Sequence, residues 1–83
     1  MITSKEAREN TKKYLEDHID AVMNDVSVAI IKASGRGSDQ ITIWEDNKEM
    51  RKLIIKKCKE AGFKAYRVIR DFEETDRVLI TWR

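Results

Sequence analysis

The chain has no proline, three glycines, one cysteine and one histidine among its 83 residues. The single cysteine, Cys58, excludes an internal disulfide and any multi-cysteine metal site, and it fits a reducing compartment. The lone histidine, His18, has no neighbour at ligand or triad spacing, so neither a zinc site nor a nucleophilic triad is written into the chain. Apolar runs are at most four residues long, as in Val28–Ile31, which is far too short for a membrane span. The N-terminus is charged within five residues and has no apolar core, so no signal peptide is expected. The chain is expected to be cytoplasmic, without a membrane partner or a cofactor. Aromatic residues make up only 7% of the chain, so each one that carries no core position is a candidate contact.

What is present is periodicity. From Ser4 to Ala33 apolar side chains recur every three or four residues (Ala7, Leu15, Ile19, Val22, Val26, Ile30, Ala33), and no proline or glycine interrupts them. Thr3 and Glu6 have capping-box spacing at the start of this stretch, and Gly35 stands where a left-handed stop is expected. A helix of that length is roughly 45 Å long, against a radius of gyration of about 12 Å for a compact chain of this size. It must therefore project, kink near Asn24-Asp25, or pack on another molecule. Val26, Val28 and Ile30 also alternate as a strand would, but the unbroken stripe favours helix.

Downstream, Gln40–Trp44 alternates as a short strand, with Ile41 and Ile43 on one face and Thr42 and Trp44 on the other. Asp46 opens a second helix with Glu49 three residues on, and Gly62 ends it. Met50, Leu53, Ile54, Cys58 and Ala61 line one face of this helix. Lys64–Asp71 and Arg77–Trp82 read as strands around a polar turn at Glu73–Asp76. The expected architecture is a single α+β domain over residues 1–83, in the order α-β-α-β-β. A long helix at about 4–34 and a second helix cover one face of a three-stranded antiparallel sheet of order 1-3-2, with a sheet-plus-helix core at about 40–82. Two open edges result, each able to pair with another strand.

The net charge of +2 hides an uneven distribution. Residues 1–47 carry six basic and nine acidic side chains. Residues 48–70 carry nine basic and two acidic ones, and residues 71–83 two basic and four acidic. Lys48, Lys52, Lys56 and Lys59 recur at helical spacing and form a stripe of the kind that binds phosphate backbones, with Trp44 and Tyr66 as stacking surfaces. Arg36 in the Ser34–Ser38 loop, together with Arg67 and Arg70, could hold a small phosphorylated ligand if these residues converge. Glu16, Asp17 and Asp20 form an acidic turn, with Asp25 five residues beyond. Carboxylates at this spacing could hold Mg²⁺ through water, but a solvated face is expected, and Cys58 is expected to pack as a small hydrophobe. No pair of groups is set apart for acid–base work, so enzymatic action is not expected.

The Ala61-Gly62-Phe63 stop, the Ala65-Tyr66-Arg67-Val68 strand and the closing Val78-Leu79-Ile80-Thr81-Trp82 carry a resemblance. With Ile30 to Ala33 before a glycine loop, residues 26–83 resemble small accessory proteins encoded in bacteriophage genomes. That resemblance implies a class whose members act by binding, often as oligomers, to host enzymes, defence systems or signalling nucleotides, and it assigns no site residue. The leading expectation is thus a non-enzymatic, homo-oligomeric binding protein that inhibits a host protein by occlusion. Leu15, Ile19, Val22 and Val26 would form the oligomer interface. Arg36, Trp44, Lys48, Lys52, Lys56, Lys59, Tyr66 and Arg67 would meet the partner or an anion. Nucleic-acid binding through residues 48–70 is the first alternative, and sequestration of a nucleotide-like ligand between subunits is the second.

Overall fold

The computed structural model describes all residues from Met1 to Arg83. Helix α1 spans Ser4–Gly35, strand β1 Gln40–Trp44, helix α2 Lys48–Glu60, strand β2 Lys64–Arg70 and strand β3 Glu73–Thr81. The sheet is antiparallel throughout, in the order β1-β3-β2. Both helices lie on the face carrying Ile41, Ile43, Ala65, Val78 and Ile80, and the other face is left open. The α+β fold and its strand order are therefore those expected from the periodicities.

Helix α1 starts where its capping residues predict. Thr3 Oγ1 accepts the Glu6 amide at 3.1 Å, and its hydroxyl donates to Glu6 Oε1 at 3.2 Å. The helix runs through Asn24-Asp25 as one continuous element, unbroken there. It ends at Gly37 rather than Gly35. Gly37 has φ +84° and donates to the Ser34 carbonyl, while the Ser38 amide donates to the Ala33 carbonyl. This is a Schellman ending, and it requires the left-handed residue one position after the Arg36 cap, so Gly35 stays inside the helix. Helix α2 closes in the same way on Gly62, with Phe63 donating back to the Cys58 carbonyl. Its N-cap is Asn47, not Asp46: Asn47 Oδ1 accepts the Met50 amide at 3.0 Å, and the Asn47 amide is held by Glu45 Oε1.

The hairpin also departs from the expected turn. Asp71 and Phe72 have φ +52° and +67°, so the turn is two residues long and left-handed at both. That geometry matches the twist of the flanking strands. Glu73–Asp76 therefore belongs to β3, with Glu73 opposite Arg70 and Glu74 opposite Ile69. These polar residues have strand partners, which their composition alone conceals. Register breaks between Arg67 and Ile69, because β3 takes four residues to match two on β2. The Thr75 hydroxyl bridges the irregularity by donating to the Val68 carbonyl at 2.8 Å.

The core is narrow. Met50, Ile54 and Cys58 of α2 pack on Ala65, Val78 and Ile80, and Ile19 and Val26 of α1 close the cluster. Phe63 meets Trp82 edge-on at 6.1 Å between ring centroids, sealing one end. Leu15, Ile19, Val22 and Val26, expected as an oligomer interface, face this core. Ile19 and Val26 are buried, and Leu15 and Val22 are half-buried against the cluster. They correct the interface assignment, because the stripe is used up within one chain. The N-terminal turns of α1, from Ser4 to Tyr14, are exposed throughout and give the molecule its 52 Å length.

One charged link crosses the core. Arg51 is 6% exposed; its Nη1 donates to the Glu45 carbonyl at 2.7 Å, and its Nε lies 3.6 Å from Glu74 Oε1. Removing one member of a buried pair leaves the other charge uncompensated, which costs about 3 kcal/mol or more. Glu74→Ala is thus expected to lower stability by about 3 kcal/mol in urea titration, whereas Arg51→Met with Glu74→Leu should restore most of that loss.

Candidate binding surfaces

The open sheet face follows from strand alternation. On β1 it presents Gln40, Thr42 and Trp44. On β3 it presents Arg77, Leu79 and Thr81, and on β2 Lys64 and Tyr66. Registration sets Trp44 beside Arg77, and the Thr42–Leu79–Tyr66 row lies next to it. Trp44 is 64% exposed and Tyr66 50%, so both keep a free ring surface. The Arg77 guanidinium carbon sits 4.3 Å from the centre of the Trp44 ring, a cation–π stack that holds the indole in place. Arg77 Nε and Thr81 Oγ1 are buried and make no hydrogen bond within the protein. The face thus combines two aromatic anchors, an apolar centre at Leu79 and polar groups around it.

The lysine stripe lies on the other side of the molecule. Lys48, Lys52, Lys56 and Lys59 are exposed on α2, whose buried side covers the helical face of the sheet. Only Lys52 of the four forms an ion pair, with Glu49 at 3.4 Å. The structure therefore does not bring the stripe together with Trp44, which lies across the sheet from it; Tyr66, on edge strand β2, meets only the Lys59 end of the stripe. Arg67 does approach Lys59. Together with Ile55, Ala65, Tyr66 and Ile69 they line an open groove of about 420 Å³ between α2 and β2. Arg36 caps α1 and leads directly into the Gln40 end of the sheet, while Arg70 ends β2 at the hairpin. Six strand residues, or about 20 Å, separate the two ends of the sheet. The arginines Arg36, Arg67 and Arg70 do not converge.

Two further expectations meet local geometry. The amides of Arg36, Gly37 and Ser38 are taken up by the Ala33 and Ser34 carbonyls. The loop that could have cradled a phosphate has committed those donors to its own helix end. No three acidic, cysteine or histidine side chains come together as a metal-holding group, and Glu16 pairs with Lys12 at 3.9 Å. His18 donates from Nδ1 to the Tyr14 carbonyl at 2.7 Å and stacks on the Tyr14 ring at 4.1 Å, on the exposed side of α1.

Sequence reasoning missed the Arg51 link and the outward apolar positions of α1. Arg51, Ile54 and Cys58 share the three-and-four spacing of a buried stripe, and an arginine in that register was the available signal. On α1, Tyr14, Asp17, Ala21, Asn24, Val28 and Ile31 follow a three-and-four spacing of their own, opposite the core stripe. Tyr14, Val28 and Ile31 are 49%, 42% and 69% exposed. Comparison of the chain with protein-family models, with curated proteins and with solved structures finds no match. No helix is long and apolar enough to cross a membrane.

Cys58 is 1% exposed, and burial pushes its thiol up from the ordinary value. The thiolate is the reactive form, so Cys58 should label only through opening of the fold, at a rate that rises with denaturant. The unfolded chain loses this proton first, so the thiol contribution is intact below its ordinary value and is lost as pH rises above it. Cys58→Ala is expected to flatten the alkaline fall in stability, as read by urea midpoints across that range.

Proposed function

We propose that this protein is a non-enzymatic binding module that occludes a partner protein through the open sheet face. The observation that supports it is the presence of two exposed aromatics, Trp44 stacked on Arg77 and Tyr66 one row away on the opposite edge strand, on an uncovered sheet face. Rigid aromatics with a polar rim are what dominate binding energy at protein interfaces. The bacteriophage-like cadence of residues 26–83 extends this reading to a viral accessory protein that acts on a host factor or defence system. In a capture experiment from host lysate, Trp44→Ala and Tyr66→Ala should each lose the partner retained by the parent protein. Loss of about 2 kcal/mol or more per anchor is the expected scale. Equal retention by both variants would overturn the use of this face.

Homo-oligomerisation belongs to the same proposal, moved to the outer side of α1. A seam of Tyr14, Ala21, Val28 and Ile31 suits helix-on-helix packing, and Asn24 in the same register would fix alignment. Val28→Glu with Ile31→Glu should convert the assembly to monomer by light scattering without loss of helical content. A parent protein that is already monomeric would remove this part of the proposal.

A nucleic-acid reading is supported by one observation, the row of exposed lysines on α2. Affinity for single-stranded DNA should then fall steeply between 50 and 200 mM salt, by about 10² or more for a handful of phosphate contacts. Lys52→Glu with Lys56→Glu should abolish it.

A further inference from the structure

We propose that the outer edge of β2 accepts an acidic, extended segment of a partner protein as a fourth strand. This names the partner chemistry of the protein-binding reading and rests on it, but it uses the β2 edge, away from the Trp44–Arg77 stack on β1 and β3.

Three observations converge on this edge. First, β2 pairs only with β3, so one row of backbone N–H and C=O groups along its seven residues has no strand partner. Such an edge is a template for another strand. Second, the groove beside it has an apolar floor. Ile55 is half-buried, and Ile69 is 67% exposed without a neighbour to cover it. Alternate side chains of an added strand would point into that groove. Third, the edge is cationic on both faces: Lys59 and Arg67 line the groove, and Lys64 and Arg70 alternate to the open side of β2. Lys59, Lys64, Arg67 and Arg70 are all exposed, and none takes part in an ion pair. The acids closest in sequence or register are Glu60, next to Lys59, Asp71, next to Arg70, and Glu73, cross-strand from Arg70; none of the three is paired with these cations.

The same charges select the occupant. A second copy of β2 pairing antiparallel about Arg67 would set Arg67 against Arg67 and Lys64 against Arg70. Like charges directly opposite oppose that pairing. In a segment alternating apolar and acidic residues, the apolar set enters the groove over Ile55 and Ile69, while the acidic set lies beside Lys64 and Arg70 on the other side of the edge. The segment also gains main-chain hydrogen bonds along β2. The sheet would become four-stranded without disturbing α1, which packs against β1 at the other edge.

The test uses a blocked peptide of alternating glutamate and valine as long as β2, and its lysine-for-glutamate counterpart. Each is titrated into the isotope-labelled full chain and followed by amide shifts and hydrogen exchange. The acidic peptide should shift residues of β2 and the facing side of α2 and slow exchange at the outward amides of β2. It should bind about tenfold or more tightly than the basic one. Arg67→Glu with Arg70→Glu should reverse the preference; both sites are exposed, and unchanged core resonances would show the variant folded. Equal binding of the two peptides, shifts confined to the open face, or no shifts at millimolar peptide would each overturn the proposal. Trp44→Ala should leave peptide binding intact. A failed peptide with partner capture still dependent on Trp44 sinks the edge alone, whereas loss of both sinks the protein-binding reading as well.

Discussion

The fold depends on one contact, the buried face of α2 lying on the central strand. Met50, Ile54 and Cys58 supply one side, and Val78 and Ile80, both fully buried, supply the other. Burying an isoleucine or methionine side chain contributes about 2 kcal/mol. A core of eight residues has few such contributions to spare. β3 is also the strand to which both β1 and β2 are hydrogen-bonded, so anything that lifts α2 loosens the whole sheet. Arg51 works on the same contact from one end. Its position fixes the rotation of α2, because the guanidinium reaches both the Glu45 carbonyl and the Glu74 carboxylate only when Ile54 and Cys58 point inward.

That contact explains how the surfaces are divided. Two helices on one face of a three-stranded sheet leave the opposite face to side chains that alternate outward, among them Trp44 and Tyr66. The same layering puts the α2 lysines on the far side. A reading in which the whole lysine stripe and both aromatics serve one ligand is therefore split by the fold, with only Lys59 and Tyr66 meeting at the α2–β2 groove. Charge is sorted laterally as well. The exposed acids Glu16, Asp17, Asp20 and Asp25 lie on α1, beside β1, interspersed with cations such as Lys13 and Lys32, whereas Lys48 to Arg70 on α2 and β2 carries nine cations against two acids. A partner approaching with one sign of charge meets a preferred side.

Much of this order was legible because strong periodicity carries it. Val78 and Ile80 alternate, the apolar spacing from Leu15 to Ala33 has a helical period, and Gly62 sits where a helix must stop. Features set by pairing were harder to read. The Asp71-Phe72 turn has no glycine to announce it, since Phe72 adopts a left-handed conformation that its side chain does not favour. Glu73–Asp76 looks like a turn until Arg51 is seen to need Glu74. The stripe of Leu15, Ile19, Val22 and Val26 was correctly seen as apolar, but periodicity cannot tell which surface it will cover. As for the candidate sites, exposure of Trp44 followed from its alternation with Ile43. The groove between α2 and β2 depends on the placement of Ile69 beside Ile55, which no local pattern encodes.

The overhang of α1 has a kinetic and spectroscopic consequence. Its first turns, up to Tyr14, are exposed and bury no apolar side chain, with only Arg8, Thr11 and Lys12 facing Glu49 of α2 across an open groove. A helical segment of that length is marginal by itself in water. These turns must lengthen and shorten by end-fraying on a submicrosecond scale, while the packed part opens only with the core. Ellipticity should then drift downward with temperature well before the environment of Trp82 changes. The molecule is a rigid body with a breathing tip, and the two will not share one melting curve.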